Sequence, residues 1–434
     1  MLLHSLRIRR RIKNAPRASS VSLPLEIELL IIDQFEGDTS RLRRLCHVCR
    51  AWGAHAQALI FREVDVRYRT VGRFLALVNI TSVGRHITTL SIIEGSHWLR
   101  VYDEPSLLGC IAPLPHRALP NVRTLTISYR RFVPWTEVEI AVRWSSIARL
   151  KLHFCKFATT DTMIAFVAAF PRLESLDVFQ CSVEDVAAGT KAIEMPAWCL
   201  KYLAFGEFPQ NALIDWMVAA PADLAVEHLR ILSLGPDPSP FNALLAKIGA
   251  DLRHLEVPGM HRPQIYVEAP LSIRACTALT TLSFSEGSPY DLGRGIISIL
   301  AQAASPVLAT IAFHIHLNTG YLDIPWEEID ALLGTDTFGA LQVVVFDMWG
   351  GPFEYAVLTP YDTAVRVLQM RLAPLAGRRI LRFRYADDKA TQTYVPPEVD
   401  SPRAPLVKRL SRSVSRWMGA DGGRSVELRN RAYF

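Results

Sequence analysis

Residues 173–181 read LESLDVFQC, and residues 147–155 read IARLKLHFC. Leu173, Leu176, Val178 and Cys181 thus have counterparts in Ile147, Leu150, Leu152 and Cys155. In an extended chain the second and third of these apolar side chains point to one face and the residues beside them to the other, so each stretch predicts a strand buried on one side. Outward from this pair the same apolar-x-x-apolar-x-apolar motif returns along most of the chain. Toward the N-terminus lie Ile87-Leu90-Ile92 and Val122-Leu125-Ile127. Toward the C-terminus lie Leu200-Leu203-Phe205, Leu229-Leu232-Leu234, Leu252-Leu255-Val257, Leu279-Leu282-Phe284, Leu308-Ile311-Phe313 and Leu341-Val344-Phe346, then a weaker unit on Leu381 and Phe383. Between middle positions the intervals are 35, 25, 26, 27, 29, 23, 27, 29, 33 and 37 residues.

An interval of that length holds one strand and one returning helix. Helical stretches are expected at 161–170, 295–304 and 326–333, with Pro171, Pro306 and the Gly334/Gly339 pair punctuating their ends. Helix, break and strand in repeating order predict an α/β solenoid with a parallel sheet. The unit resembles an irregular leucine-rich repeat, with Cys155 and Cys181 where such repeats carry Asn or Cys, although asparagine is mostly missing from that position. A single α/β domain with a parallel sheet is the plainer reading, and eleven returns of one motif count against it.

In a solenoid of this kind the outward strand residues line the concave face. Here they include Lys151, His153, Asp177, Phe179, Glu256, His314, His316, Asp347, Trp349, Arg382 and Arg384. Mixed charge with exposed aromatics is what a protein-binding surface carries. His153, Phe179, His314, His316, Trp349, Arg382 and Arg384 are the expected target-binding residues.

The stretch before the repeats has a different character. Residues 23–61, LPLEIELLIIDQFEGDTSRLRRLCHVCRAWGAHAQALIF, hold more apolar surface than so short a segment buries by itself. Pro24 suits the first position of a helix and Glu26 its first turn. The helix runs to Phe35 with apolar residues on nearly every side. Gly37-Asp38-Thr39-Ser40 breaks it and supplies caps for a second helix carrying Leu42, Leu45, Val48, Cys49 and Trp52 at helical spacing. A short third helix follows at about 53–60. Cys46-x-x-Cys49 falls inside this apolar pattern and has no second Cys or His pair at zinc-finger spacing.

The order Leu23-Pro24-x-Glu26-Ile27, apolar helix, Gly37-Asp38 turn, Val48-Cys49-Arg50-x-Trp52 and Leu59-Ile60-Phe61-Arg62-Glu63-Val64 resembles an F-box, in the fungal form that runs on into a Phe-Arg-x-Val strand. The resemblance covers residues 22–66. It implies docking on the Skp-type adaptor of a cullin-RING ubiquitin ligase, with contacts from Leu23, Pro24, Ile27, Ile31, Leu45, Val48, Cys49 and Trp52. Some of these side chains must also hold the three helices together, and the sequence leaves that division open.

The net charge of +6 belongs to the ends. Residues 1–20 contribute +6 with no acid, and residues 401–434 set eight basic against two acidic side chains, so residues 21–400 stand at −6. Basic tails around an acidic middle argue against a duplex-binding face, so nucleic acid is not an expected partner. The first 21 residues read as a disordered tail, a nuclear-import patch or an Arg-rich mitochondrial presequence. Residues 387–434 read as a linker and a basic tail, where Leu406, Val407, Leu410 and Val414 could form an amphipathic helix. The solenoid is assigned to residues 67–386.

Seven scattered cysteines, at 46, 49, 110, 155, 181, 199 and 276, read as reduced thiols in a cytoplasmic or nuclear protein. No run approaches the ~18 apolar residues of a membrane helix, so no membrane partner is expected. No His-Glu-x-x-His, phosphate loop or Gly-x-Ser-x-Gly elbow occurs, and His314/His316 alone make a weak metal motif. The expected protein is therefore not an enzyme and needs no metal or cofactor. It is expected to be a substrate receptor that joins a ligase adaptor to a target protein. The alternative is a scaffold that binds a helical partner and delivers nothing for ubiquitination.

Overall fold

A computed structural model of the chain describes residues 23–80, 82–95, 107–111, 114, 118–132, 144, 146–185, 193–206, 211–221, 223–234, 237–258, 271–285, 292–317, 324–349, 361–387 and 390–392. The two basic ends, including the expected helix around Leu406, lie outside the described residues. Strands form wherever the motif occurs. They are β1 (Glu63–Arg67), β2 (Thr89–Ile93), β3 (Thr124–Ser128), β4 (Arg131–Phe132), β5 (Arg149–His153), β6 (Lys156–Thr159), β7 (Ser175–Phe179), β8 (Ser182–Asp185), β9 (Tyr202–Gly206), β10 (His228–Ile231), β11 (His254–Pro258), β12 (Thr281–Ser285), β13 (Thr310–His316), β14 (Val343–Trp349), β15 (Leu381–Asp387) and β16 (Ala390–Gln392).

Three helices precede the sheet, α1 (Leu25–Asp33), α2 (Thr39–Leu45) and α3 (Arg50–Ile60). Between strands lie α4 (Val71–Ile80), α5 (Leu107–Ile111), α6 (Thr160–Ala168), α7 (Asn211–Ala219), α8 (Ser239–Ile248), α9 (Leu292–Leu300), α10 (Trp326–Leu333), α11 (Tyr361–Arg371) and α12 (Ala373–Gly377).

The chain is α/β, with a large parallel sheet and a solenoid-like succession of units. Thirteen strands join in the order β1-β2-β3-β5-β7-β9-β10-β11-β12-β13-β14-β15-β16, all parallel except β16, which runs antiparallel to β15. A second parallel sheet, β4-β6-β8, continues three of the units. Each unit therefore pairs with the next in sequence, and stability rests on nearest-neighbour interfaces.

Alternation does what the motif predicts. Leu90 and Ile92, Leu150 and Leu152, and Leu176 and Val178 are fully buried beside their counterparts in adjacent strands. From β12 to β15 the third motif position is Phe284, Phe313, Phe346 and Phe383, whose rings stack at 5.4, 5.3 and 5.2 Å. Trp326 of α10 meets Phe313 and Phe346 nearly edge-on. Such pairs add about 0.5–1.5 kcal/mol each beyond the area they bury.

The pairing corrects the sixth unit. Leu229 is aligned with Leu203 and with Leu255, so the unit is Val226-Leu229-Ile231 and not Leu229-Leu232-Leu234. The intervals on either side, 203 to 229 and 229 to 255, become 26 and 26 in place of 29 and 23. The motif also has an earlier member. Val64 and Val66 of β1 align with Leu90 and Ile92, and Phe61 stands in the first position. At the far end β16 adds a strand in the stretch read as a linker.

The helical module differs from expectation in three places. Pro24 is the N-cap residue of α1, with φ −53° and ψ 141°, and not its first helical position. That helix ends at Asp33 rather than at Phe35. The apolar spacing from Leu42 to Trp52 is not one helix: α2 stops at Leu45, and α3 begins at Arg50 with Cys49 as its cap. The Cys49 sulfur accepts the Trp52 N–H at 3.5 Å, so neither thiol of the Cys46/Cys49 pair lies within a helix. Gly53 allows the tight turn, because a Cβ there would stand 2.9 Å from the Cys46 carbonyl oxygen. Asp38 caps α2 as expected, accepting the Arg41 N–H at 3.0 Å.

Candidate protein-interaction surfaces

The helical module has a small core of its own, Ile32, Leu42, Ala56 and Leu59, ringed by half-buried Leu29, Phe35, Leu45, Trp52 and Ile60. Polar contacts fix the helices around it. The Trp52 indole N–H donates to Glu28 at 2.8 Å, His55 meets Asp33 at 2.7 Å, and Arg62 pairs with Glu36. Burial pushes the Cys46 thiol above its ordinary value.

That core consumes one side of α1. On the others Leu23, Leu25, Ile27, Leu30, Ile31 and Val48 are 37–59% exposed. Nine large hydrophobic side chains are exposed among the described residues, and six of them crowd into residues 23–48. Isolated exposed leucines are ordinary, but a cluster marks a contact surface. Of the eight residues singled out above, Leu23, Pro24, Ile27, Ile31, Val48 and Cys49 face outward, while Leu45 and Trp52 pack against the module core. Leu25 and Leu30 join the exposed set. Their signal was present in the sequence, as a first helix apolar all round.

The second surface is the face of the long sheet opposite the buried leucines. The seven residues singled out there fall into two groups. On β5 and β7, His153 and Phe179 are half-buried neighbours with ring centres 5.9 Å apart, and His153 Nε2 lies 3.5 Å from Asp177. On β13 to β15, Asp347 lies 3.6 Å from His314 and 3.8 Å from Arg384. Arg382 is exposed, with its guanidinium donating to the Arg379 and Leu381 carbonyls. His316 and Trp349 are paired by register, but their side chains lie outside the described residues.

Between these groups the structure places His228, His254 and Arg230, which the sequence reading missed, beside Glu256, which it named. His228 and His254 stack at 4.1 Å with planes 6° apart, and Arg230 donates to Glu256 at 2.9 Å. Burial first, then His228, holds His254 below the usual imidazole range, and burial pushes Tyr202 above the usual phenol range. Arg230 was missed because the sixth unit was set three residues late. His228 and His254 occupy the outward position before the central leucine, which the reading did not use.

Among the described residues no three His, Cys, Asp or Glu side chains are arranged to hold a metal ion. A pocket lined by Leu90, Leu114, Leu119, Val122, Trp144, Ser146 and Ile147 is apolar apart from Ser146, whose hydroxyl donates to the Val122 carbonyl. Cys155 and Cys181 are buried and donate to the Ile127 and Leu152 carbonyls at 3.3 and 3.2 Å. Burial holds Cys155 well above the ordinary thiol range and pushes Cys276 up to about 12. No helix among the described residues is long and apolar enough to cross a membrane. Compared with family models and with curated proteins, the chain matches none.

Proposed function

We propose that the chain is a substrate-receptor subunit of a cullin-RING ubiquitin ligase, in which an F-box-like module (residues 22–66) binds a Skp-type adaptor and a leucine-rich-repeat-like sheet binds the target protein. The exposed apolar cluster of Leu23, Leu25, Ile27, Leu30, Ile31 and Val48 carries this reading. Fully burying a Leu or Ile is worth about 1.5–3 kcal/mol, so a partner that covers these half-exposed side chains gains on the order of 1 kcal/mol from each. The contribution to ubiquitin transfer is proximity. A bound target holds its lysines at high effective concentration near the charged ubiquitin carrier, with no chemistry from this chain.

The test is a pull-down of the full chain with a Skp-type adaptor. Binding is expected for the native protein. It is expected to fall by about 2 kcal/mol or more in an Ile27→Asp/Val48→Asp variant whose melting curve is unchanged, since both side chains already face water. No binding by the native chain, or unaltered binding by the variant, removes the reading. If the adaptor binds and no co-purifying protein accumulates when the chain is deleted, the scaffold role replaces the receptor role.

A further inference from the structure

Residues 39–61 carry four arginines, Arg41, Arg43, Arg44 and Arg50, and no acid. The five acids of residues 23–62 lie earlier, and four of them are engaged inside the helical module. Glu28 accepts the Trp52 indole N–H, Asp33 meets His55, Glu36 pairs with Arg62, and Asp38 pairs with Arg41 at 3.0 Å. The fifth, Glu26, stands in the first turn of α1. Arg43, Arg44 and Arg50 are exposed, and among the described residues none of them pairs with a carboxylate within 4 Å.

The helices do not account for all three. Arg43 and Arg44 fall in the last turn of α2, where a cation suits the negative end of the helix dipole. Arg50 is the first residue of α3, at the positive end, with no acid in that turn to offset it. That placement works against the helix. What the three arginines share is Val48, 59% exposed and within five residues of each along the chain. The Val48 N–H donates to the Leu45 carbonyl at 3.1 Å, which keeps the turn between α2 and α3 tight and the arginines close about the valine.

Charge and apolarity together say what such a surface takes. A nucleic-acid backbone supplies negative charge but offers nothing apolar to cover Val48. An acidic protein surface supplies both, with an apolar centre over the valine and carboxylates at its rim, each able to meet a guanidinium through two parallel hydrogen bonds.

We propose that Arg43, Arg44 and Arg50 meet carboxylates of the protein that covers Val48, so that the module docks on an acidic face and charge sets how fast it docks. The proposal rests on the reading that a Skp-type adaptor is that protein. Charges at the rim act chiefly on the association rate and on its response to salt, while the apolar contacts hold the complex once it has formed.

The test measures association and dissociation rates of the full-length protein with a Skp-type adaptor at ionic strengths of about 0.01 and 1 M, where charges act over about 30 and 3 Å. The native association rate is expected to fall by roughly tenfold or more between them. Arg43→Gln/Arg44→Gln/Arg50→Gln is expected to associate roughly tenfold more slowly at the lower salt with dissociation little changed, and the three-lysine counterpart, equal in charge, to keep most of the native rate. Arg382→Gln/Arg384→Gln, which removes exposed charge from the far end of the sheet, is expected to match the native protein. The proposal is overturned, with the adaptor reading intact, if the native rate does not respond to salt, if the glutamine variant associates as fast as the native chain, if the lysine counterpart is as slow as the glutamine variant, if the change at 382 and 384 slows association equally, or if a DNA duplex displaces the adaptor. No binding at all by the native chain removes the proposal and the adaptor reading together.

Discussion

Cys276 is fully buried and its thiol is pushed up to about 12 from an ordinary 9.0, because burial withholds the water that would solvate a thiolate. The sign of the consequence follows from which state holds the proton. In the unfolded chain the thiol ionises from about pH 9 upward, while in the folded chain it stays protonated to about 12. Its contribution to stability is thus intact below pH 9 and lost progressively between 9 and 12. A Cys276→Ala variant is expected to show a shallower alkaline loss of stability, by up to about 1.4 kcal/mol per pH unit in that window. Urea denaturation at stepped pH measures it, and parallel limbs for the two proteins would contradict it.

Among elements, β10 separates what the sequence motif can and cannot specify. Val226 and Ile231 are fully buried, whereas Leu232 and Leu234 are only half-buried. Ile231→Ala is expected to cost about 2–5 kcal/mol of stability and Leu234→Ala less than about 1.5, the reverse of what the motif placed on Leu229-Leu232-Leu234 would imply. Denaturation midpoints of the two variants decide between the registers. Ten of the eleven units were legible because nine offer a single apolar triplet and the last, with Arg378 in its first position, a single apolar pair. The sixth offered two, three residues apart, and only the paired 29- and 23-residue intervals hinted at the slip. The α2–α3 break was hidden for another reason. Leu45, Val48 and Trp52 keep helical spacing across the turn, and the cap is a cysteine sulfur, which no capping rule anticipates. The corners after β3 and β5 left no trace at all: Tyr129 and Phe154 stand there at φ 60° and 56°, and nothing in a Tyr or Phe announces a positive φ.

At the scale of the molecule, β1 does two jobs. It closes the stretch that begins with the three helices and also supplies the first strand of the thirteen-stranded sheet. A chain starting at residue 68 would leave the whole β2 edge unpaired, an open template for further strands. Such a truncation is expected to self-associate, while one starting at Arg62 should remain monomeric, because exposed Glu63, Asp65 and Arg67 put charge on the short β1 edge and discourage further pairing. Light scattering at matched concentration compares them, and equal molar masses would refute the role given to β1. The α/β class and the succession of units were readable from recurring leucines, whereas the strand shared by module and sheet was not. Phe61, Val64 and Val66 fit both readings of the sequence, and only the pairing with β2 shows that they serve the sheet.

Only Phe61 and Arg62 separate α3 from β1. Arg62 is held from both sides: its carbonyl accepts the Thr88 and Thr89 N–H groups of the sheet at 3.0 Å, and its guanidinium pairs with Glu36 of the helical module. The helical module is therefore mounted like a beam set into a wall, with no joint at its root. Whatever clasps the free end of that beam inherits a fixed bearing on anything seated along the sheet, and any freedom the assembly needs to bring distant groups together must come from its other parts.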